Sequence, residues 1–79
     1  MSESRKEIAE RVAEALRGCD RHYGARVWQA EQHVRVYVTR QLSGGRQEIG
    51  YIEIEEDGTL NTGPITRAAS HVRSIARAI

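Results

Sequence analysis

The clearest pattern in the chain is a strict alternation of apolar and polar side chains over residues 33–42, which read HVRVYVTRQL. The three valines of this segment point to one face of an extended strand, and Arg35, Tyr37 and Thr39 point to the other. Alternation of this kind is typical of a strand that packs one face on a core. We therefore predict a strand over residues 33–42 with a valine face and an open face.

Extended segments are also predicted on both sides of this strand, over residues 25–30 and 46–55. The connection 43–45 reads Ser-Gly-Gly, and glycine supplies the positive φ that tight hairpin loops need. Asp57-Gly58 then marks a turn, after which Leu60 adds at most a brief extended piece. The three strands are expected to form an antiparallel sheet in the order 1-2-3.

A helix is predicted before the strands, over about residues 4–17. Ser4 and Glu7 have the spacing of a capping box, in which each side chain accepts a hydrogen bond from the other residue's backbone amide. Gly18 is expected to end the helix as a C-terminal cap. The apolar stripe consists of Ile8, Val12 and Leu16, with Ala9, Ala13 and Ala15 beside them.

A second helix is predicted after the strands, over about residues 64–78, with Pro64 in its first turn. Its apolar stripe consists of Ile65, Ala68, Ala69, Val72, Ile75, Ala76 and Ile79. Arg67, Arg73 and Arg77 lie elsewhere around it. These arginines are either an ordinary solvated face or contacts for phosphate or an acidic partner.

The predicted elements give a two-layer α+β domain with the order α-β-β-β-α. Each helix has only one apolar stripe, so both are expected to pack on the valine face of the sheet. The 79 residues form one domain, 1–79, because the chain is too short for two cores.

The lengths of the two hairpin loops determine which side chains share the open face. With 43–45 as a three-residue loop, Tyr37 opposes Tyr51 and Thr39 opposes Ile49, all on that face. An even loop would oppose core residues to outward residues, which is costly.

The first hairpin has two alternatives. If Glu31-Gln32 is a two-residue loop, Trp28 falls opposite Arg35 on the open face and Val27 stays in the core. An odd loop would instead bury Trp28, which is the common fate of a lone tryptophan. We favour the even loop because it keeps the valines of both strands inside.

The open face is the best candidate for a binding surface, since nothing in the predicted fold covers it. Tyrosine, tryptophan and arginine are also the residues that tend to dominate interface energetics. The competing interpretation is cross-strand aromatic pairing that only stabilises the sheet. The candidate binding residues are Arg26, Trp28, Arg35, Tyr37, Ile49 and Tyr51.

No catalytic, metal or cofactor site is predicted. Cys19, Asp20 and His22 lie close together, but a C-x-x-H pattern needs a second pair of ligands. The acidic run that begins at Glu53 is expected to pair across strands with Arg35 and His33 rather than to act in acid–base chemistry.

Composition narrows the class of partner. Twelve Lys and Arg against 11 Asp and Glu give a net charge of +1, whereas chains that coat nucleic acid are usually far more basic. The single cysteine excludes a disulfide within the chain and fits a cytoplasmic location. No apolar run approaches the roughly 18 residues of a membrane span.

The sequence thus predicts a small, non-enzymatic, intracellular protein-binding module, of the adaptor or inhibitor type that phages and mobile elements carry. One alternative is a nucleic-acid-binding domain, with bases stacked on the open face and arginine on phosphate. Another is a purely structural face that is buried in a homodimer. No membrane partner and no small-molecule substrate are predicted.

Overall fold

The computed structural model describes residues 4–19, 21–65, 72, 74 and 75. These residues form one helix, α1, and a four-stranded antiparallel sheet in the order β1-β2-β3-β4. The predicted small α+β domain with an antiparallel sheet is confirmed at this level, but the described residues form four strands and one helix instead of three and two. The elements are α1 (Arg5–Cys19), β1 (Tyr23–Ala30), β2 (His33–Leu42), β3 (Gly45–Ile54) and β4 (Leu60–Asn61).

The capping box starts α1 as the sequence indicates. The Ser4 amide donates to Glu7 Oε1 at 3.2 Å, and the Glu7 amide donates to Ser4 Oγ at 3.2 Å. The helix continues through Gly18 to Cys19, so the expected cap at Gly18 is wrong. Gly18 is not among the described glycines with positive φ, and it therefore does not form the left-handed cap that would end the helix.

Arginine side chains tie both ends of α1 to the sheet. Near its start, Arg5 donates to the Ile54 carbonyl at 2.8 and 3.1 Å and to the Gln32 carbonyl at 3.0 Å. In the last turn, Arg17 Nη1 donates to the Ala25 carbonyl at 2.7 Å. Among the described residues, no helix is long and apolar enough to cross a membrane.

The predicted second helix falls largely outside the described residues, which omit 66–71, 73 and 76–79. Pro64 lies in a turn and Ile65 is not helical, whereas residues 72, 74 and 75 have helical backbone. Ile65, Val72 and Ile75 are buried in the same core as α1. The described part of the C-terminal segment therefore packs on the valine face.

The core lies between α1 and the valine face of the sheet. Tyr23 belongs to it and is 4% exposed, although it lies before the predicted strand 25–30. It faces the core because β1 begins two residues earlier than predicted, and Arg40 lies 5.8 Å from its ring centroid. The core residues are Ala9, Val12, Ala13, Leu16, Tyr23, Val34, Val36, Val38, Ile49, Ile52, Ile54, Ile65, Val72 and Ile75.

The fourth strand, β4, was anticipated only as a brief extended piece. It pairs with the end of β3, with Leu60 opposite Ile54. The turn between them is closed by the Asp57 carboxylate, which accepts hydrogen bonds from the Thr59 amide at 3.0 Å and the Thr59 hydroxyl at 2.7 Å. Gly58 has φ +88° in this turn, which glycine adopts without strain.

The β2–β3 hairpin differs from the prediction in its loop length and in a β-bulge, and the effects of the two differences on strand register cancel. Its loop has two residues rather than three, because Leu42 pairs with Gly45, which has φ +126°. A β-bulge between Val38 and Thr39 then inserts one extra residue into β3. Beyond the bulge the two strands return to the register that a three-residue loop would give, with Tyr37 opposite Tyr51.

The bulge explains why Ile49 is not on the open face. Thr39 pairs with Glu48, and Ile49 is the extra residue, turned into the core and 3% exposed. The next residue, Gly50, has φ +135°, and a Cβ there would lie 2.4 Å from the Pro64 carbonyl oxygen. The backbone that leaves β4 thus crosses β3 in direct contact with Gly50.

Candidate functional site

The open face carries four side chains that contact one another, Trp28, Arg35, Tyr37 and Tyr51, which we call the aromatic–arginine cluster. Trp28 lies opposite Arg35, as a two-residue first loop requires, and the structure has that loop. The Trp28 and Tyr37 rings meet edge to face, with centroids 6.0 Å apart and planes at 84°. The Tyr37 and Tyr51 centroids are 5.5 Å apart at 49°. Edge-to-face and tilted contacts of this kind are the favoured aromatic geometries.

Arg35 holds the aromatic–arginine cluster together. Its guanidinium carbon lies 4.5 Å from the Tyr51 ring centroid and 5.3 Å from the Trp28 centroid, which is cation–π distance. Its Nη1 donates to the Tyr37 hydroxyl at 3.3 Å, and its Nε donates to Glu53 Oε1 at 2.7 Å. The Arg35 side chain is only 23% exposed, so it is fixed from several sides.

The charge of Arg35 is compensated within the face. Burial acts to raise the pKa of Glu53, but hydrogen bonds from Arg35 and from His33 outweigh burial and hold that pKa below its ordinary value. The hydrogen bonds of Arg35 to Tyr37 and Glu53 raise the pKa of the guanidinium. Both groups are therefore charged at neutral pH, and the pair has no net charge.

No described element covers the open face. The buried residues of α1 and the described C-terminal residues join the core on the valine side. The residues of the aromatic–arginine cluster are nevertheless half-buried, because they lie against one another. The side chains of the cluster are thus held by mutual contacts and remain partly accessible.

The other predicted site residues are placed differently. Arg26 is exposed and opposes Tyr37, so it lies at the rim of the aromatic–arginine cluster. Ile49 is in the core, and the residue opposite Thr39 on the open face is Glu48. Three further candidates lie outside the described residues: Arg67, Arg73 and Arg77.

A depression of about 590 Å³ lies beside the aromatic–arginine cluster, where β1 passes Gly24, and we call it the Gly24 depression. We did not predict it, because Arg17 comes from α1 and Arg46 comes from the start of β3. The one local signal was Gly24, since an isolated glycine in a strand often marks a close approach. The lining residues are Arg17, Tyr23, Gly24, Ala25, Arg26, Tyr37, Thr39, Arg46 and Glu48.

A second depression, of about 500 Å³, lies at the acidic turn after β3 and is lined by Glu55, Glu56, Asp57 and Thr59. Hydrogen bonds from the Thr59 hydroxyl and amide lower the pKa of Asp57, so that carboxylate is engaged in closing the turn. Over the described ranges, no group of three or more His, Cys, Asp or Glu residues could hold a metal ion. Cys19 has an exposed free thiol.

Comparison of the chain with protein-family models, with curated proteins and with solved structures finds no match. The open face and the Gly24 depression are therefore the features of the described structure that bear on function.

Proposed function

We propose that this chain is a small, non-enzymatic protein-binding module of the adaptor or inhibitor type, which contacts its partner through the aromatic–arginine cluster. The observation that supports this best is the fixed geometry of Arg35 between the Trp28 and Tyr51 rings on an uncovered sheet face. Aromatic and arginine side chains that are already ordered lose little conformational entropy when a partner binds.

The electrostatics of the aromatic–arginine cluster favour a protein over nucleic acid. The Arg35 charge is compensated by Glu53, and Glu48 adds a further carboxylate to the open face. A phosphate backbone gains affinity from uncompensated cations, and the net charge of the whole chain is only +1. The edges and hydroxyl groups of Tyr37 and Tyr51 instead suit a mixed polar and apolar protein surface.

The proposal is tested by affinity capture with face variants, followed by binding measurements with purified components. Trp28→Ala with Tyr51→Ala removes two anchors, and Arg26→Glu reverses an exposed charge at the rim without removing a core contact. Gln29→Ala is the matched control, because Gln29 is exposed on the same strand but alternates to the other face. We expect both face variants to weaken binding of one captured protein at least about tenfold, and the control to leave it unchanged.

Two parallel measurements test the competing functions, nucleic-acid binding and self-association, and a positive result in either one contradicts the proposal. A fluorescence change of Trp28 with mixed oligonucleotides that falls steeply with salt would assign the face to nucleic acid. Light scattering that shows a dimer, lost with Trp28→Ala and Tyr51→Ala, would assign it to self-association. If the variants lower thermal stability and change no interaction, the aromatic–arginine cluster is structural.

A further inference from the structure

We propose that the Gly24 depression is a binding site for a dianionic phosphate group. The inference does not require a protein partner on the open face, although Arg26 and Tyr37 belong to both surfaces. It rests on three arginines that come from three different elements and converge on one concave surface: Arg17 of α1, Arg26 of β1 and Arg46 of β3.

The charges in the Gly24 depression are not compensated in the way that Arg35 is. Glu48 is the one carboxylate among its lining residues, so the three guanidinium groups leave a net formal charge of +2. Arg35, by contrast, has its charge matched by Glu53 at 2.7 Å. A site with a charge of +2 favours a dianion over the single charge of a carboxylate or a phosphodiester.

Two of the arginines are held in place by neutral acceptors. Arg17 Nη1 donates to the Ala25 carbonyl at 2.7 Å, and Arg46 Nη1 donates to the Thr39 hydroxyl oxygen at 3.0 Å. Each bond orients a guanidinium group and uses one of its five N–H donors. The remaining donors are available for the paired hydrogen bonds that arginine makes to phosphate oxygens.

The position of Arg46 depends on the absence of a side chain at Gly24. A Cβ at this position would lie 2.5 Å from Arg46 Nη1 and 2.6 Å from Thr39 Oγ1. Glycine therefore allows Arg46 to reach across the sheet and close one side of the depression. The volume of about 590 Å³ exceeds that of a phosphate group, and Tyr37 of the aromatic–arginine cluster is among the lining residues. This extra space fits the organic part of a phosphate monoester.

The test is a titration of the isotopically labelled chain, followed by NMR, at low ionic strength and pH 7. Phenyl phosphate should shift the Gly24 amide resonance with a Kd of about 1 mM or tighter, and dimethyl phosphate, a monoanion, should bind at least about tenfold more weakly. A titration with inorganic phosphate distinguishes an organic phosphate ester from free phosphate as the ligand. Tighter binding of phenyl phosphate than of inorganic phosphate supports an organic ester as the ligand, whereas equal binding supports free phosphate. Both outcomes support the site.

Arginine variants distinguish a built site from general attraction. Arg46→Gln removes an exposed side chain and should weaken phenyl phosphate binding about tenfold, while Arg21→Gln, an equal charge change outside the depression, should have little effect. Gly24→Ala should weaken binding by displacing Arg46. Equal losses with Arg46→Gln and Arg21→Gln would overturn the proposal. So would the absence of a Gly24 shift at about 10 mM phenyl phosphate, or equal binding of dimethyl phosphate.

Discussion

The two faces of the sheet hold their side chains in place by different means. On the valine face, aliphatic side chains such as Val36 and Ile52 are 0% exposed because they lie in the core with residues of α1 and of the described C-terminal segment. On the open face, Arg35 and the aromatic rings are ordered by lateral contacts with their neighbours on the sheet, and no described layer lies above them. Burial fixes the first set and neighbour contacts fix the second, so only the second set can be ordered and still available to a partner.

The largest effect is expected from the covered face. Ile52→Ala removes a fully buried side chain and leaves a cavity in the core, so the free energy of unfolding should fall by about 2–5 kcal/mol. Urea denaturation measures this change. A loss below about 1 kcal/mol would show that the valine face is not the core that stabilises the fold.

Gly50→Ala should come next, with a loss of about 2–4 kcal/mol. The backbone at Gly50 has φ +135°, and the new Cβ would meet the Pro64 carbonyl oxygen at 2.4 Å, so the substitution combines backbone strain with a clash. Gly44→Ala is the matched control, because no atom lies within 4 Å of the corresponding Cβ position and its φ is not positive. Similar thermal unfolding of the two variants would contradict the close crossing at Gly50.

A smaller effect is expected on the open face. Tyr51→Ala removes one ring from the aromatic–arginine cluster and should lower the free energy of unfolding by about 1 kcal/mol, the size of a cross-strand pair. This loss is smaller than that of Ile52→Ala, although the two residues are neighbours in the chain. The same denaturation experiment gives the value. If Tyr51→Ala cost as much as Ile52→Ala, the distinction between the two faces would fail.

The smallest effect is the pH dependence of the Arg35–Glu53 pair. Because the pKa of Glu53 is lower in the folded chain than its ordinary value of 4.5, the pair stabilises the fold fully above that value. This contribution should be lost as the pH falls below about 4.5 and through the folded pKa. Comparing Glu53→Gln with the parent chain across acid pH checks this, since the difference in unfolding free energy should shrink with acidification.

The parts of the fold that could be predicted depend on local patterns. The alternation in β2 predicted its strand and both of its faces, and the Ser4–Glu7 spacing predicted the start of α1. The bulge in β3 could also have been predicted, from the two adjacent residues Ile49 and Gly50. Ile49 and Gly50 place an apolar residue out of phase beside an isolated glycine, which is a common sign of a bulge.

The Gly24 depression could not be predicted in the same way. Arg17 and Arg46 are far apart in the chain, and both line the Gly24 depression only because α1 packs near β1 and β3 pairs with β2. The start of β1 at Tyr23 was missed for a related reason, since the polar residues before it gave no sign of a strand. Sequence patterns specified the faces of single strands, whereas convergence of separate elements depends on the assembled fold.

The hydrogen bond from Arg17 to Ala25 also blocks part of one edge of the sheet. In the described sheet β1 is an outer strand, and the edge of such a strand is a template for pairing with other chains. Arg17 occupies the Ala25 carbonyl and places a bulky cation across the first half of that edge. A foreign strand that paired along the whole of β1 would have to displace Arg17 from this carbonyl.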